Sequence, residues 1–321
     1  MNNLIDVDHL VIRFPRRGRT GLGLRPDVFN AVDDVSFSIA RGETFGLVGE
    51  SGSGKSTIGK AILGYLKPAN GEIRYDGTRI SGLREHELLP YRRRMQSMFQ
   101  DPYSALDPSM TVREIISEPM EIHYMLDRKG RKARAAELLK AVGMAADDLR
   151  RYPHEFSGGQ RQRIAIARAL SVNPEFVMCD EPISALDVSL QAHIVYMLRE
   201  LQQRFNLTYL FISHQLQVVQ KLCDHIGVTY LGSMMERGTS EMVYGHPSHP
   251  YTRMLLSSML EPDPDIPSLD NIIPDSGVQQ YAGQGCRFAN RCPCADHRCQ
   301  VESPDIRELE PGHYVRCFRP A

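Results

Sequence analysis

Residues 49–57 read Gly49-Glu50-Ser51-Gly52-Ser53-Gly54-Lys55-Ser56-Thr57. The stretch matches the phosphate-loop pattern G-x-x-x-x-G-K-S/T. A β-prone apolar run, Thr44 to Val48, precedes it, and apolar residues at helical spacing follow from Thr57 to Leu66. A glycine loop between a strand and a helix start directs backbone N–H groups and the positive helix end at a polyphosphate. The pattern therefore predicts that Lys55 reaches the β- and γ-phosphates and that the Ser56 hydroxyl binds Mg²⁺.

A second motif places two acids at the end of an apolar run. Phe176 to Cys179 suits a strand that is buried on both faces, and Asp180 and Glu181 follow it directly. Ligands bind at the carboxyl ends of strands in open α/β sheets. Adjacent carboxylates are unfavourable there unless a cation compensates, so Asp180 is predicted to hold the Mg²⁺ opposite Ser56. Glu181 is predicted to take the proton from an attacking water.

A third motif provides a second anion cradle. Ser157-Gly158-Gly159-Gln160 precedes a helical run with apolar residues from Ile164 to Ala169. Backbone amides at such a helix start can bind phosphate. Two cradles on one chain suggest a shared site, in which one cradle serves this chain's nucleotide and the other serves a partner's.

In this order the motifs resemble those of the ATP-binding cassette (ABC) ATPases. Phe99-Gln100 resembles the Q-loop, which makes Gln100 a further Mg²⁺ ligand and a catalytic residue. Ser184 to Asp187 resembles the D-loop, and Leu210 to His214 resembles the strand that ends in the switch histidine. Phe14 stands where family members place an aromatic residue that stacks on adenine, although Phe29 competes for that role. One departure is Gln215, which follows His214 where an acid is common.

Composition and strand–helix alternation agree with an α/β fold. The chain has 321 residues, a net charge of −1 and no apolar run near the length of a membrane span, so neither nucleic acid nor a spanning segment is indicated. The first residues do not form a signal peptide. Short strand candidates come first, and a helical pattern runs from about Thr111 to Leu170. Strands and helices alternate after that, which is typical of a parallel sheet with crossover helices.

The organisation predicted is an ABC-type P-loop NTPase core with an antiparallel β subdomain, an inserted helical subdomain and a small Cys-rich C-terminal extension. The ATPase domain is predicted to cover residues 1–260, with the helical subdomain at about 101–172. A proline-rich linker, Glu261 to Ser268, opens the extension at 261–321.

The C-terminal region concentrates the cysteines. Five of the seven lie in the last 36 residues, namely Cys286, Cys292, Cys294, Cys299 and Cys317. Such density in a cytosolic protein favours a metal site over disulfides. The spacing lacks the paired C-x2-C units usual for structural zinc. Four arginines beside the thiols are expected to lower the thiol pKa values. Cys179 and Cys223 lie in apolar segments and are expected to be packing residues.

This tail resembles the C-terminal extension of the oligopeptide/dipeptide-importer group of ABC ATPases. The similarity covers His249-Pro250-Tyr251-Thr252, Cys286-Arg287-Phe288, Arg291-Cys292-Pro293 and Pro311 to Val315. It implies a 4Fe–4S cluster on Cys286, Cys292, Cys299 and Cys317, with Cys294 as an alternate ligand. Four cysteines can also bind zinc or stay reduced, so these alternatives remain open.

The resemblance also implies a function. The chain is expected to be the ATP-hydrolysing subunit that powers import of dipeptides, oligopeptides or a related small substrate. The implied partners are a second ABC ATPase, two transmembrane permease subunits and, indirectly, an extracytoplasmic binding protein. The implied location is peripheral, on the cytoplasmic face of the inner membrane.

Two other hypotheses are compatible with parts of the sequence. A soluble cassette ATPase that acts on DNA or ribosomes often has two cassettes or a long coiled coil, and the sequence contains neither. A tail that senses redox state or metal and gates transport is compatible with the transporter hypothesis. A tail whose cluster only stabilises its fold is compatible with it too.

Overall fold

A computed structural model describes residues 2–15, 28–98, 106–184, 186–257 and 284–320. The chain forms two compact units. The first comprises residues 1–4, 39–44 and 82–213, and the second comprises residues 5–38, 45–81 and 214–321. Gln100, its neighbour Phe99 and the linker 261–268 lie outside the described residues, so the roles given to them stay predictions.

The described ranges contain strands and helices in alternation. The strands are β1 (Asn3–Pro15), β2 (Val28–Ala40), β3 (Thr44–Val48), β4 (Asn70–Tyr75), β5 (Thr78–Arg79), β6 (Met95–Met98), β7 (Phe176–Asp180), β8 (Thr208–Ile212), β9 (His225–Tyr230), β10 (Ser233–Thr239), β11 (Arg307–Glu310) and β12 (His313–Val315). The α-helices are α1 (Lys55–Ile62), α2 (Glu85–Arg94), α3 (Val112–Ile122), α4 (Arg128–Ala141), α5 (Gly158–Leu170), α6 (Val188–Phe205), α7 (Leu216–Leu222), α8 (Ser240–Gly245), α9 (Pro250–Ser257) and α10 (His297–Val301).

The first unit combines parallel strands with a group of helices. Strands β6, β7 and β8 pair in parallel in that order. Every residue of β7 and β8 is buried, as expected for strands covered on both faces. Helices α3, α4 and α5 pack their apolar faces together, with Ile116, Leu138 and Ile164 fully buried. Thr111, Asp127 and Ser157 cap these three helices at their N-termini.

The second unit contains antiparallel strands and the strand that leads into the phosphate loop. Strands β2, β1, β4 and β5 form an antiparallel sheet. In its other sheet, β3 pairs in parallel with β9, and β10, β12 and β11 continue from β9 as antiparallel neighbours. Strands β12 and β11 belong to the C-terminal region, which is the part of the chain described at residues 284–320. This region therefore extends the sheet through β10.

The predicted α/β class, with an antiparallel sheet and inserted helices, is confirmed. Strand β3 begins and ends as predicted, whereas α1 covers Lys55–Ile62 and not Thr57 to Leu66. The helix ends early because Gly64 adopts a positive φ of 73°. No helix in the described ranges is long and apolar enough to cross a bilayer.

A three-residue ion cluster ties the first unit together at the start of β7. The Glu175 carboxylate accepts from the Arg94 guanidinium at 2.6 and 3.0 Å and from Arg41 at 2.6 Å. These hydrogen bonds lower the pKa of Glu175 from 4.5 to about 2, and the one from Arg94 contributes most. The cluster is therefore expected to stabilise the unit above pH 4.5 and to lose that effect as pH falls towards 2.

We expect Glu175→Gln to destabilise the protein by about 1 kcal/mol at pH 7, a value that allows for solvent screening of this half-exposed group. Urea unfolding between pH 6 and pH 3.5 measures the difference from wild type, which should shrink as the pH falls. Glu302→Gln is the control, because Glu302 pairs with Arg298 on the surface at 2.8 Å and should contribute little. A pH-independent difference would contradict the role of the ionised carboxylate.

Candidate nucleotide-binding site

The phosphate loop of the second unit is shaped by glycines that no other residue could replace. Gly49 has a φ of 146°, and a Cβ atom on it would lie 2.1 Å from the Thr229 carbonyl oxygen. Gly54 has a φ of 98° and directly precedes α1, where a Cβ atom would lie 2.7 Å from the Ala31 carbonyl oxygen. The chain therefore turns from β3 into α1 with its backbone close to β2 and β9.

Lys55 lies across this loop. Its amine donates to the carbonyl oxygens of Gly49 at 2.7 Å and Glu50 at 2.8 Å, and to the Ser53 hydroxyl at 3.2 Å. The residue is only 5% exposed. The single cation of the loop is thus held against its carbonyl groups, where the phosphate groups of a nucleotide are predicted to bind.

The other predicted loop residues lie around Lys55. Ser53 is buried, and its hydroxyl is 3.0 Å from that of Thr229 in β9. Ser51 and Gly52 are exposed, whereas Ser56 and Thr57 are half-buried in the first turn of α1. The side chain predicted to bind Mg²⁺ is therefore at the N-terminal end of a helix, as the motif requires.

The first unit places the two predicted acids at the end of β7. Asp180 is its last residue and is 7% exposed. Glu181 follows with a φ of 47°, in the left-handed region that non-glycine residues seldom adopt. Its amide donates to the Ile212 carbonyl oxygen at 2.9 Å, and its own carbonyl oxygen accepts from Ser184. The backbone fixes the direction in which the Glu181 side chain leaves the strand.

The second predicted cradle forms the N-terminus of α5. The Ser157 hydroxyl accepts from the Gln160 amide at 3.4 Å, and the Gln160 side chain accepts from the Ser157 amide at 3.0 Å. This reciprocal capping box fixes the turn that carries the two glycines. A Cβ atom on Gly158 would meet nothing within 4 Å, whereas one on Gly159 would lie 3.3 Å from Leu190.

The first unit also links the D-loop aspartate to this cradle through Leu190. Asp187 caps α6 by accepting from the Leu190 amide at 3.0 Å, and Leu190 is the residue that covers Gly159. Gln191 donates to the carbonyl oxygens of Ile183 and Leu186 and thereby holds the D-loop to α6. Ser157 to Gln160 and Asp187 therefore belong to one packed arrangement.

The remaining predicted residues lie at strand ends. His214 is exposed and comes two residues after β8. Phe14 lies near the end of β1 and Phe29 near the start of β2, and their rings are tilted with centroids 6.2 Å apart. The two candidates for the adenine contact are therefore neighbours in the fold.

The five C-terminal cysteines converge on one small cavity of about 20 Å³. Cys286, Cys292, Cys299 and Cys317 are half-buried, and Cys294 is exposed. Cys179 and Cys223 are buried in the apolar interior, as expected for packing residues. Among the described residues, no group of three or more His, Cys, Asp or Glu side chains is placed to hold a metal ion. The donor set itself, five thiols beside one cavity, suits a thiolate-bound centre.

The expectation that neighbouring arginines lower the thiol pKa values is wrong for three of these cysteines. Burial raises the pKa of Cys286 and of Cys317, and it raises the pKa of Cys292 to about 11. The arginines bind carboxylates elsewhere. Those pairs are Arg287 with Asp33, Arg291 with Glu50, Arg298 with Glu302 and Arg316 with Asp34.

Two contacts to the phosphate loop were not predicted from the sequence. The Glu50 amide donates to the Tyr251 hydroxyl at 3.0 Å, and the Glu50 carboxylate binds the Arg291 guanidinium. Both partners lie in motifs that resemble those of the oligopeptide/dipeptide-importer group. The available signal was an arginine in the Cys-rich tail and a tyrosine in the His-Pro-Tyr-Thr motif before it.

The phosphate loop, the acids after a buried strand and the second cradle together define a P-loop ATPase of the ABC class. The model of the ABC transporter family matches residues 32–184, and that of the oligopeptide/dipeptide transporter C-terminal region matches residues 235–299. The chain is 51% identical to the Bacillus subtilis protein YkfD over 89% of this chain and 88% of that protein. It is 47% identical to the B. subtilis oligopeptide transport ATP-binding protein AppF, over 89% of this chain and 88% of that protein.

Solved structures of other ABC ATPases have a similar fold. The dimeric post-hydrolysis structure of the ATP-binding cassette MJ0796 with ADP and Pi is 28% identical, with a TM-score of 0.65 over 74% of this chain and 98% of that chain. CbiO1 from Clostridium perfringens, part of the ABC transporter complex cbiONQ, is 25% identical with a TM-score of 0.66, over 77% of this chain and 92% of that chain. This chain belongs to the ABC transporter ATPases, in the group with the oligopeptide/dipeptide transporter C-terminal region.

Proposed function

We propose that this chain hydrolyses ATP to power the import of dipeptides, oligopeptides or a related small substrate through a membrane ABC transporter. The observation that carries the proposal is the combination, on one chain, of complete ATPase motifs with the C-terminal region of oligopeptide and dipeptide transporters. The relative AppF, which matches over most of both chains, is itself an oligopeptide transport ATP-binding protein.

The roles of the residues follow from their chemistry. The amides of residues 49–57 and Lys55 bind the phosphates of ATP, and Phe14 stacks on the adenine. Ser56, Asp180 and Gln100 hold Mg²⁺, which neutralises charge on the phosphates. Glu181 accepts the proton of the attacking water, and His214 contacts the γ-phosphate.

Hydrolysis requires a second ATPase subunit. Ser157, Gly158, Gly159 and Gln160 form a rigid helix N-terminus, whose amides suit the γ-phosphate of a nucleotide bound to the partner. Asp187, which is linked to this cradle through Leu190, is assigned to the same contact. The dimeric state of MJ0796 supports this arrangement. ATP-driven closure of the two ATPases then moves two permease subunits at the cytoplasmic face of the membrane, and an extracytoplasmic binding protein supplies the cargo.

The test is reconstitution of the chain with its permease subunits and second ATPase in vesicles. We expect ATP hydrolysis that increases when a peptide-loaded binding protein is added outside, together with uptake of labelled peptide. Hydrolysis stimulated by DNA or ribosomes, without any membrane subunit, would favour the soluble cassette ATPase instead.

We further propose that the C-terminal cysteines bind a 4Fe–4S cluster. Support comes from the convergence of five soft donors on one cavity. The spacing of these cysteines also lacks the paired C-x2-C units that are usual for structural zinc. The half-buried Cys286, Cys292, Cys299 and Cys317 suit the ligand roles better than the exposed Cys294.

We expect Cys299→Ser to abolish cluster binding and Cys294→Ser to leave it intact, because only the first removes a half-buried thiol. Iron and sulfide analysis and the optical spectrum of anaerobically purified protein provide the measurement. A brown wild-type protein with about four irons supports the cluster, whereas one zinc per chain or no metal at all refutes it. Loss of iron in Cys294→Ser would instead identify Cys294 as a ligand.

A further inference from the structure

The C-terminal region reaches directly into the phosphate loop. Arg291 donates to both carboxylate oxygens of Glu50, at 2.8 and 2.9 Å. The Arg291 side chain is 5% exposed and that of Glu50 is 29% exposed. A bidentate arginine–carboxylate pair of this kind is both strong and directional. The pair joins residues that are 241 positions apart in the chain.

Every polar group of Glu50 is engaged in positioning the loop. Its amide donates to the Tyr251 hydroxyl at 3.0 Å. Its carbonyl oxygen accepts from the Lys55 amine at 2.8 Å and from the Ser53 amide at 3.2 Å. Glu50 therefore links the C-terminal region on one side to the amine predicted to bind phosphate on the other, and it does so through a single residue.

Aromatic packing holds Arg291 and Tyr251 in place. The Phe288 ring lies 5.3 Å from the Tyr251 ring and 5.4 Å from the Tyr230 ring. The Arg291 guanidinium lies 5.7 Å from the Tyr230 ring centre and 5.8 Å from the Phe288 ring centre. These rings exclude water from the guanidinium, which strengthens its interaction with the Glu50 carboxylate.

A buried carboxylate fixes the start of the helix that carries Tyr251. Glu236 in β10 is fully buried and accepts from the amides of Ser248 and His249 at 2.8 and 2.9 Å. The imidazole of His313 in β12 lies 2.8 Å from the same carboxylate. The C-terminal region thus supports α9 through His313 and the phosphate loop through Arg291.

We propose that Arg291 is a positioning residue for the phosphate loop, so that nucleotide affinity depends on the folded C-terminal region. The proposal rests on the proposed function of residues 49–57 in binding ATP. Removing the guanidinium would leave the Glu50 carboxylate without its partner, which costs more than the loss of a surface pair. The Glu50 peptide would then lose the orientation in which its carbonyl oxygen receives Lys55.

The experiment measures the binding of a fluorescent ATP analogue with Mg²⁺ to the purified full-length chain. We expect Arg291→Gln and Glu50→Gln each to weaken binding about tenfold, the range of a charge-assisted hydrogen bond. The double variant should bind no more weakly than the weaker single variant, because both changes break one contact. Arg291→Lys should restore part of the affinity, since lysine keeps the charge but not the bidentate geometry.

A matched control separates loop positioning from docking of the tail. Arg316 lies in the same C-terminal region and donates to Asp34 of β2 at 2.9 Å, and Asp34 is not a residue of the phosphate loop. We expect Arg316→Gln to change nucleotide affinity by less than about twofold. In the assembled transporter, Arg291→Gln should raise the KM for ATP while kcat stays near its wild-type value, which a general loss of folded protein would not do.

Three results would overturn the proposal: an unchanged affinity in Arg291→Gln, an equal loss in Arg316→Gln, or losses that add in the double variant. If Arg291→Gln fails to fold, Glu50→Gln still tests the pair, because it breaks the same contact without changing the sequence of the tail. Failure of the wild-type chain to bind the nucleotide would refute the proposed function, which distinguishes that outcome from failure of this inference.

Discussion

Glu181→Gln is expected to bind MgATP with wild-type affinity and to lower kcat for hydrolysis by about 10²–10⁴-fold in the assembled transporter. Glutamine keeps the size of the side chain but cannot accept a proton from water. The backbone fixes the side-chain direction independently of its charge, because the Glu181 amide and carbonyl oxygen are both hydrogen-bonded. The loss should therefore be confined to the chemical step.

Steady-state hydrolysis and nucleotide binding are measured on the same preparation. Glu175→Gln serves as the control, because it makes the same change immediately before the same strand, β7, far from its carboxyl end. That variant should hydrolyse ATP at the wild-type rate at 25 °C. Normal turnover by Glu181→Gln would remove the residue from its proposed role.

Gly158→Asp is expected to lower hydrolysis at least about a hundredfold in the assembled transporter while the isolated chain folds and binds MgATP normally. A Cβ atom at this position would meet nothing within 4 Å. An acid in the first turn of α5 is also favourable for the helix itself. The harm arises only when this helix N-terminus faces the γ-phosphate on the partner, since the new carboxylate repels that phosphate and covers the cradle.

Thermal unfolding and nucleotide affinity of the isolated chain are recorded beside the rate of the complex. Gly245→Asp is the matched control, because a Cβ atom on Gly245 also meets nothing within 4 Å and this glycine ends a different helix, α8. It should leave the nucleotide affinity and the hydrolysis rate unchanged, while the acid at the C-terminus of α8 lowers the unfolding temperature slightly. A wild-type rate for Gly158→Asp, or an equal loss of affinity in the isolated chain, would show that this turn does not serve a partner's nucleotide.

The motifs that bind phosphate could be predicted from the sequence because their chemistry imposes local spacing. Gly49, Gly54 and Lys55 must stand at fixed intervals for the chain to turn between a strand and a helix. Asp180 must end a strand whose other residues are apolar, and all five residues of that strand are buried. Each requirement is met within a few neighbouring residues, so one sequence suffices to recognise it.

Contacts between distant segments could not be predicted in this way. Nothing near Arg291 in the sequence indicates Glu50 as its partner, and an arginine beside cysteines was more simply explained by the thiols. The sequence pattern does not predict strand β10, because Ser233–Thr239 does not alternate polar and apolar residues. The strand also contains Glu236, which is buried against backbone amides. Only the fold reveals that this acid has partners, which is why a charged residue there is compatible with a buried strand.

The long separation between Glu50 and Arg291 has a consequence for biosynthesis. A ribosome completes residues 49–57 well before it adds the arginine that holds them, because the two partners are 241 positions apart. The loop of a nascent or prematurely terminated polypeptide lacks that contact. The Arg291 pairing thus makes the final arrangement of the loop depend on translation through residue 291.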